Sequence, residues 1–195
     1  MREDFIIQTE EYKGYKIELI QDNDAEDPRR WDNMGTMVCF HKRYSLGDKT
    51  DYKSEDYNSW EELEIAIRQN EKTDYILPIY MYDHSGITIS TSPFSCPWDS
   101  GRIGFIFATK DAVNASGAKY DESIYQILNS EIKTYDAYLR GDVVGMSITK
   151  ETTCNECEHS HTEVIDSCWG FFPDEDGHFT YVIDEAKATI DNLPL

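Results

Sequence analysis

Seven apolar side chains, Ile124, Ile127, Leu128, Ile132, Tyr135, Tyr138 and Leu139, recur at three- and four-residue steps between Asp121 and Gly141. Side chains at that spacing share one face of a helix, so 121–140 is predicted as one long amphipathic helix. Asp121 is placed to cap it and Gly141 to stop it. A helix with one apolar face must bury it against a second layer, and the rest of the chain has to supply that layer.

The strand signals supply it. "FIIQTEEYKGYKIELI" holds two β-prone runs around Tyr12-Lys13-Gly14, with Tyr15, Ile17 and Leu19 alternating, and reads as a hairpin. "TMVCFH", "YILPIYMY", "GITIST", "RIGFIFAT", "VVGMSIT" and "EVIDSCWGFF" read as further strands. Pro78 inside "YILPIYMY" points to a bulge or an edge, because proline cannot donate to a ladder. Ser59-Trp60-Glu61-Glu62 is a capping box, followed by Leu63 and Ile67, so a helix is predicted over 59–70. Val182, Ala186, Ile190 and Leu193 mark a closing helix over 181–193. Strands joined by hairpin-length connections, with helices that do not alternate with them, indicate an α+β fold with a mostly antiparallel sheet and about three helices. One compact domain over 1–195 is expected at this length.

The charge is the strongest global feature. Thirty-eight Asp and Glu against eighteen Lys and Arg give a formal −20. Such a chain repels nucleic acid and anionic lipid and attracts basic partners. The acid is uneven: Tyr120 to Leu195 holds sixteen acids and four bases, whereas Tyr75 to Lys119 holds three of each. No run of about 18 apolar residues occurs and the start lacks the order of a secretory signal, so a soluble cytoplasmic protein is expected. The five cysteines, an odd number, are expected to be reduced thiols.

The neutral middle contains "YDHSGITISTSPFSCPWDSG", Tyr82 to Gly101. Cys96 and His84, with Asp83 or Asp99, have the residue types of a cysteine hydrolase, in which an imidazole activates the thiol and an acid orients the imidazole. The structural reading is a rigid turn at Asp83-His84-Ser85-Gly86, with Cys96 and a buried Trp98 packed together. A third reading makes Tyr80, Tyr82 and Trp98 the walls of a small-molecule pocket. At "CNECEHSH", Cys154, Cys157, His159 and His161 offer thiol and imidazole ligands that suit zinc, although all four fall at one hairpin tip. Zinc is the one cofactor that the residues suggest, and the expectation is that none is needed. The acids between Asp22 and Asp27 lack the glycine and distal glutamate of a calcium loop. Neither GxxxxGK[ST] nor GxGxxG occurs, so no standard phosphate cradle is present.

Four blocks, "WDNMGTMVCFHKRYSLGD", "LPIYMYDHSGITISTSPFSCPWDSGRIGFIF", "IYQILNSEIKTYDAYLRGDVVG" and "DSCWGFF", resemble those of a family of uncharacterised small proteins carried by bacteriophages, plasmids and other mobile elements. No activity or catalytic residue comes with the resemblance. It implies a mobile-element setting in a bacterial host, where small acidic proteins inhibit restriction or CRISPR nucleases, some of them by mimicking DNA. For a chain of this length the compact diameter is ~40 Å, and duplex DNA of that length carries ~25 phosphate charges. The leading expectation is therefore a non-enzymatic protein that binds a basic host nucleic-acid enzyme through Glu122, Glu131, Asp136, Asp142, Asp174, Glu175 and Asp176. Neither nucleic acid nor membrane is expected as a direct partner, and the sequence leaves the oligomeric state open.

Overall fold

The computed structural model describes residues 5–153 and 159–194. In chain order the elements are β1 (Ile6–Tyr12), β2 (Tyr15–Gln21), β3 (Thr36–Cys39), α1 (Trp60–Asn70), β4 (Ile76–Asp83), β5 (Ile87–Ser90), β6 (Ser100–Phe107), α2 (Lys110–Ser116), α3 (Ser123–Arg140), β7 (Val144–Thr153), β8 (Ser160–Phe171) and α4 (Thr180–Asp191). Every strand pairing is antiparallel, and the fold is α+β. The strands divide over two four-stranded sheets, β1-β2-β7-β8 and β3-β6-β4-β5. The chain groups into two compact units: unit 1 is Met1–Glu26 with Gly141–Leu195, and unit 2 is Asp27–Arg140.

Unit 1 begins with the hairpin expected from the sequence. Tyr12 pairs with Tyr15 across a two-residue turn in which Lys13 (φ 49°) and Gly14 (φ 78°) both take the left-handed conformation of a type I′ turn. Ile17 and Leu19 of β2, Met146 and Ile148 of β7, and Val182, Ile183, Ala186 and Ile190 of α4 form one apolar cluster. Fully burying a side chain of this kind contributes ~1.5–3 kcal/mol, so this contact holds α4 on the sheet. Leu193, expected inward, lies past the end of α4 and is half-buried.

Unit 2 has helices on both faces of its sheet. Ile124, Leu128, Ile132 and Tyr135 of α3 pack with Met37, Ile79, Met81, Ile89, Ile103 and Ile106. The alternate residues Val38, Ile76, Phe105 and Phe107 pack with Leu63 and Ile67 of α1. The alternation of Met37 and Val38 in β3, and of Phe105, Ile106 and Phe107 in β6, therefore serves two helices at once. Pro78 meets the edge expectation, since its stretch of β4 is not paired with β5; the bulge lies elsewhere, at the register shift after Ile79, where Ile103 of β6 is the extra residue. Ser59 accepts from the Glu62 amide at 3.2 Å, while the Glu62 carboxylate reaches the Asn58 amide at 2.9 Å, one residue beyond a standard capping box. Helix α2 adds to the three helices expected. It buries only Val113, and it is bounded by Thr109, which accepts from the Ala112 amide, and by Gly117 at φ 73°.

Candidate functional site

The Asp83–Gly101 region is built by the β4-β5-β6 meander. Asp83 pairs with Ile87 across the turn His84-Ser85-Gly86, and the segment 91–99 returns the chain to β6. The Asp83 amide donates to the Asp99 carbonyl at 2.8 Å, and the Ser100 hydroxyl donates to the Cys96 carbonyl, so the loop is tied at its base. The expected turn at 83–86 is present. The expected burial of Trp98 is not: its indole is 91% exposed, because it lies in the outer part of the loop beyond the last ladder pair, Tyr82 with Ser100. Cys96 is only half-buried.

The structure brings Cys96, Asp99 and His84 together in a definite order. The Cys96 thiol donates to Asp99 Oδ2 at 3.9 Å, and His84 Nδ1 lies 3.4 Å from the same oxygen. The carboxylate thus stands between thiol and imidazole, whereas a cysteine hydrolase needs the imidazole between thiol and acid. Asp83 is engaged elsewhere, by the guanidinium of Arg43 and by the Tyr44 hydroxyl at 3.5 Å. This cluster can hold the loop in shape, and its order does not fit nucleophilic catalysis.

The three pocket residues are also dispersed in role. Tyr80 accepts from Arg102 at 2.9 Å, and Tyr82 stacks on His84 with centroids 6.0 Å apart and lies tilted against Phe94 at 5.8 Å. Neither they nor Trp98 line any of the three described cavities. Cys154 and Cys157 lie outside the described residues, while His159 and His161 are exposed. Among the described residues no three His, Cys, Asp or Glu side chains group as metal ligands.

The seven acids expected at a partner surface separate into two kinds. Glu131 accepts from the amides of Met34 (2.9 Å) and Gly35 (3.1 Å) and from Arg29 at 3.1 Å. Asp136 accepts from the Thr88 hydroxyl (2.6 Å) and the Ile89 amide (2.7 Å). These two carboxylates tie α3 to its surroundings inside unit 2. Asp142 is half-buried, and Glu122, Asp174, Glu175 and Asp176 are exposed. The Asp174 side chain also shapes its own turn, accepting from the amides of Asp176 (3.0 Å) and His178 (2.8 Å).

Division into units sharpens the charge. Unit 1 contains twenty Asp and Glu against five Lys and Arg, a formal −15, and unit 2 contains eighteen against thirteen, a formal −5. Exposed acids stand along β7-β8 (Glu151, Glu163, Asp166), in the following turn (Asp174, Glu175, Asp176) and on α4 (Asp184, Glu185). Unit 2 has the one run of three successive basic residue types, His41-Lys42-Arg43, which sequence reasoning passed over although it stands out against the net charge.

No family model, curated protein or solved structure matches this chain. Among the described residues no helix is long and apolar enough to cross a membrane.

Proposed function

We propose that this is a non-enzymatic, acidic accessory protein of a bacteriophage or mobile element, which binds a basic host defence protein such as a restriction or CRISPR nuclease and blocks it. The observation that carries the reading is the concentration of a formal −15 in the smaller of the two units. A compact body of that chain length has a radius of gyration of ~12 Å and a diameter of ~30 Å, over which duplex DNA carries ~18 phosphate charges. A DNA-binding channel that meets such a body encounters charge of the same order as its substrate. Electrostatic steering then speeds association. The resemblance to mobile-element proteins adds the biological setting, and the thiol-carboxylate-imidazole order weighs against the hydrolase alternative.

The test is capture from a bacterial lysate at low and high salt, beside the variant Glu163→Gln, Glu175→Gln, Asp176→Asn, Glu185→Gln, all at exposed positions. The expected result is a nucleic-acid enzyme that salt releases, that DNA displaces and that the variant fails to retain. Equal retention by the variant, or a partner indifferent to salt and DNA, would sink the reading.

A further inference from the structure

We propose that unit 2 carries a binding site for a phosphorylated planar-ring ligand of the nucleoside phosphate class, with the phosphate at His41-Lys42-Arg43 and the ring in the adjoining aromatic hollow. The site goes beyond the acidic-partner reading and does not depend on it.

The basic run lines a cavity of about 760 Å³ together with Tyr44, Ser45 and Ser54. Its volume falls in the usual range for small-molecule sites. Lys42 is exposed and has no carboxylate partner among the described residues. His41 stacks on Tyr44 with centroids 5.1 Å apart, and its Nδ1 accepts from the amides of Arg43 and Tyr44, both at 3.3 Å. A proton on that ring therefore resides on Nε2, which makes Nε2 a donor. Arg43 lies over the Tyr44 ring at 5.4 Å and pairs with Asp83, a contact that an incoming phosphate would share. Asp48, the acid in the lining of this cavity, is matched by the Arg29 guanidinium and the Met37 amide.

Phe40 and Ser54 also line a second hollow of about 280 Å³, completed by Tyr57, Asn58, Ser59, Trp60 and Leu63. The Phe40 and Trp60 rings are stacked at 6.2 Å and 18°, a platform for a planar group. Asn58 donates its Nδ2 to Glu62 at 3.1 Å, which leaves its Oδ1 as an acceptor for a ring amino group. The Glu62 carboxylate at this end repels a phosphate, and the basic run at the other end attracts one, so the ligand has a single polarity. The net charge of −20 does not forbid this, since at physiological salt the Debye length is ~8 Å and distant carboxylates are screened.

One chemistry has two sources, a free nucleotide or an unpaired nucleotide at a strand end. The experiment is an NMR titration of the full chain with adenosine, inorganic phosphate, the four common nucleoside monophosphates and a short single-stranded oligonucleotide. A monophosphate is expected to shift the amides of 40–46 and 58–63 together. It should bind about tenfold or more tightly than adenosine or phosphate alone, the scale of a charge-assisted hydrogen bond. Lys42→Glu should remove that gain and leave adenosine binding unchanged. Matching shifts with the oligonucleotide assign the site to strand ends, and shifts with monophosphates alone assign it to free nucleotides. Shifts in one stretch only, no gain from the phosphate, or no response to any of the four monophosphates at millimolar concentration would overturn the proposal.

Discussion

Arg29 and Asp48 face each other as a two-pronged pair, Nε to Oδ1 at 3.1 Å and NH2 to Oδ2 at 2.7 Å, with the Arg29 side chain only 4% exposed. The same guanidinium reaches Glu131 and the Gly35 carbonyl, so one buried cation ties the segment before β3, the segment after it and α3 into one network. Burial opposes the charge. The hydrogen bonds and charges of Asp48 and then Glu131 outweigh it and hold the guanidinium above its ordinary pKa. Arg29→Met would leave two carboxylates without their cation, and a loss of ~3–5 kcal/mol is expected in chemical denaturation. A loss below ~1 kcal/mol would show that the network is not a stabilising joint.

A side chain at position 145 should collide with an indole. A Cβ on Gly145 of β7 would lie 2.1 Å from the Trp169 ring of β8. Gly145→Ala is expected to destabilise by ~1–3 kcal/mol and to shift the tryptophan emission. Combined with Trp169→Ala, the same substitution should cost far less, and a double-mutant cycle measures the coupling. Additive effects would contradict the close approach.

Alkylation should separate the thiols. Desolvation, with a smaller contribution from the Asp48 charge, pushes the Cys39 thiol up to about 12, so it stays protonated at neutral and mildly alkaline pH. Cys168 is exposed. Iodoacetamide at pH ~8, near the ordinary cysteine value, should label Cys168 and spare Cys39 until the protein is unfolded. Early labelling of Cys39, read by peptide mass spectrometry, would contradict its raised pKa.

The cap of α1 has a pH signature. The Asn58 amide, and then its side chain, hold the Glu62 carboxyl below its ordinary value of 4.5. A lowered folded pKa stabilises the protein fully above the unfolded value and loses that contribution as pH falls through the folded value. The stability advantage over Glu62→Gln should therefore be constant at neutral pH and shrink below pH 4.5. An advantage that grows on acidification would reverse the assigned sign.

The parts of the fold legible in the sequence are those fixed by local periodicity. The α3 stripe, the Lys13-Gly14 turn and the α4 face needed no knowledge of what they would pack against. Helix α2 had no such stripe, with only Val113 buried. Glu131 and Asp136 looked like surface acids because they sit off the apolar stripe. Their amide partners lie 97 and 47 residues away in sequence, and only the fold brings them near. Trp98 was misplaced for the opposite reason: large aromatics are usually covered, and no periodicity shows that a loop projects outward. The division of the strands into two sheets rests on β2 pairing with β7, Gln21 with Val144, a contact that hairpin signals do not encode.

That pairing also sets an order of events during synthesis. Residues 27–140 leave the ribosome as one continuous stretch and can complete their own core, whereas the β1-β2 hairpin must wait for β7, β8 and α4 before its apolar side is covered. Chains elongate at ~5–20 residues per second and domains tend to fold as units, so the hairpin spends several seconds without its partners. During that interval the charged residues on either side of Ile17, Lys16 and Glu18, are placed to guard the hairpin against premature aggregation, a task distinct from any they perform in the finished protein.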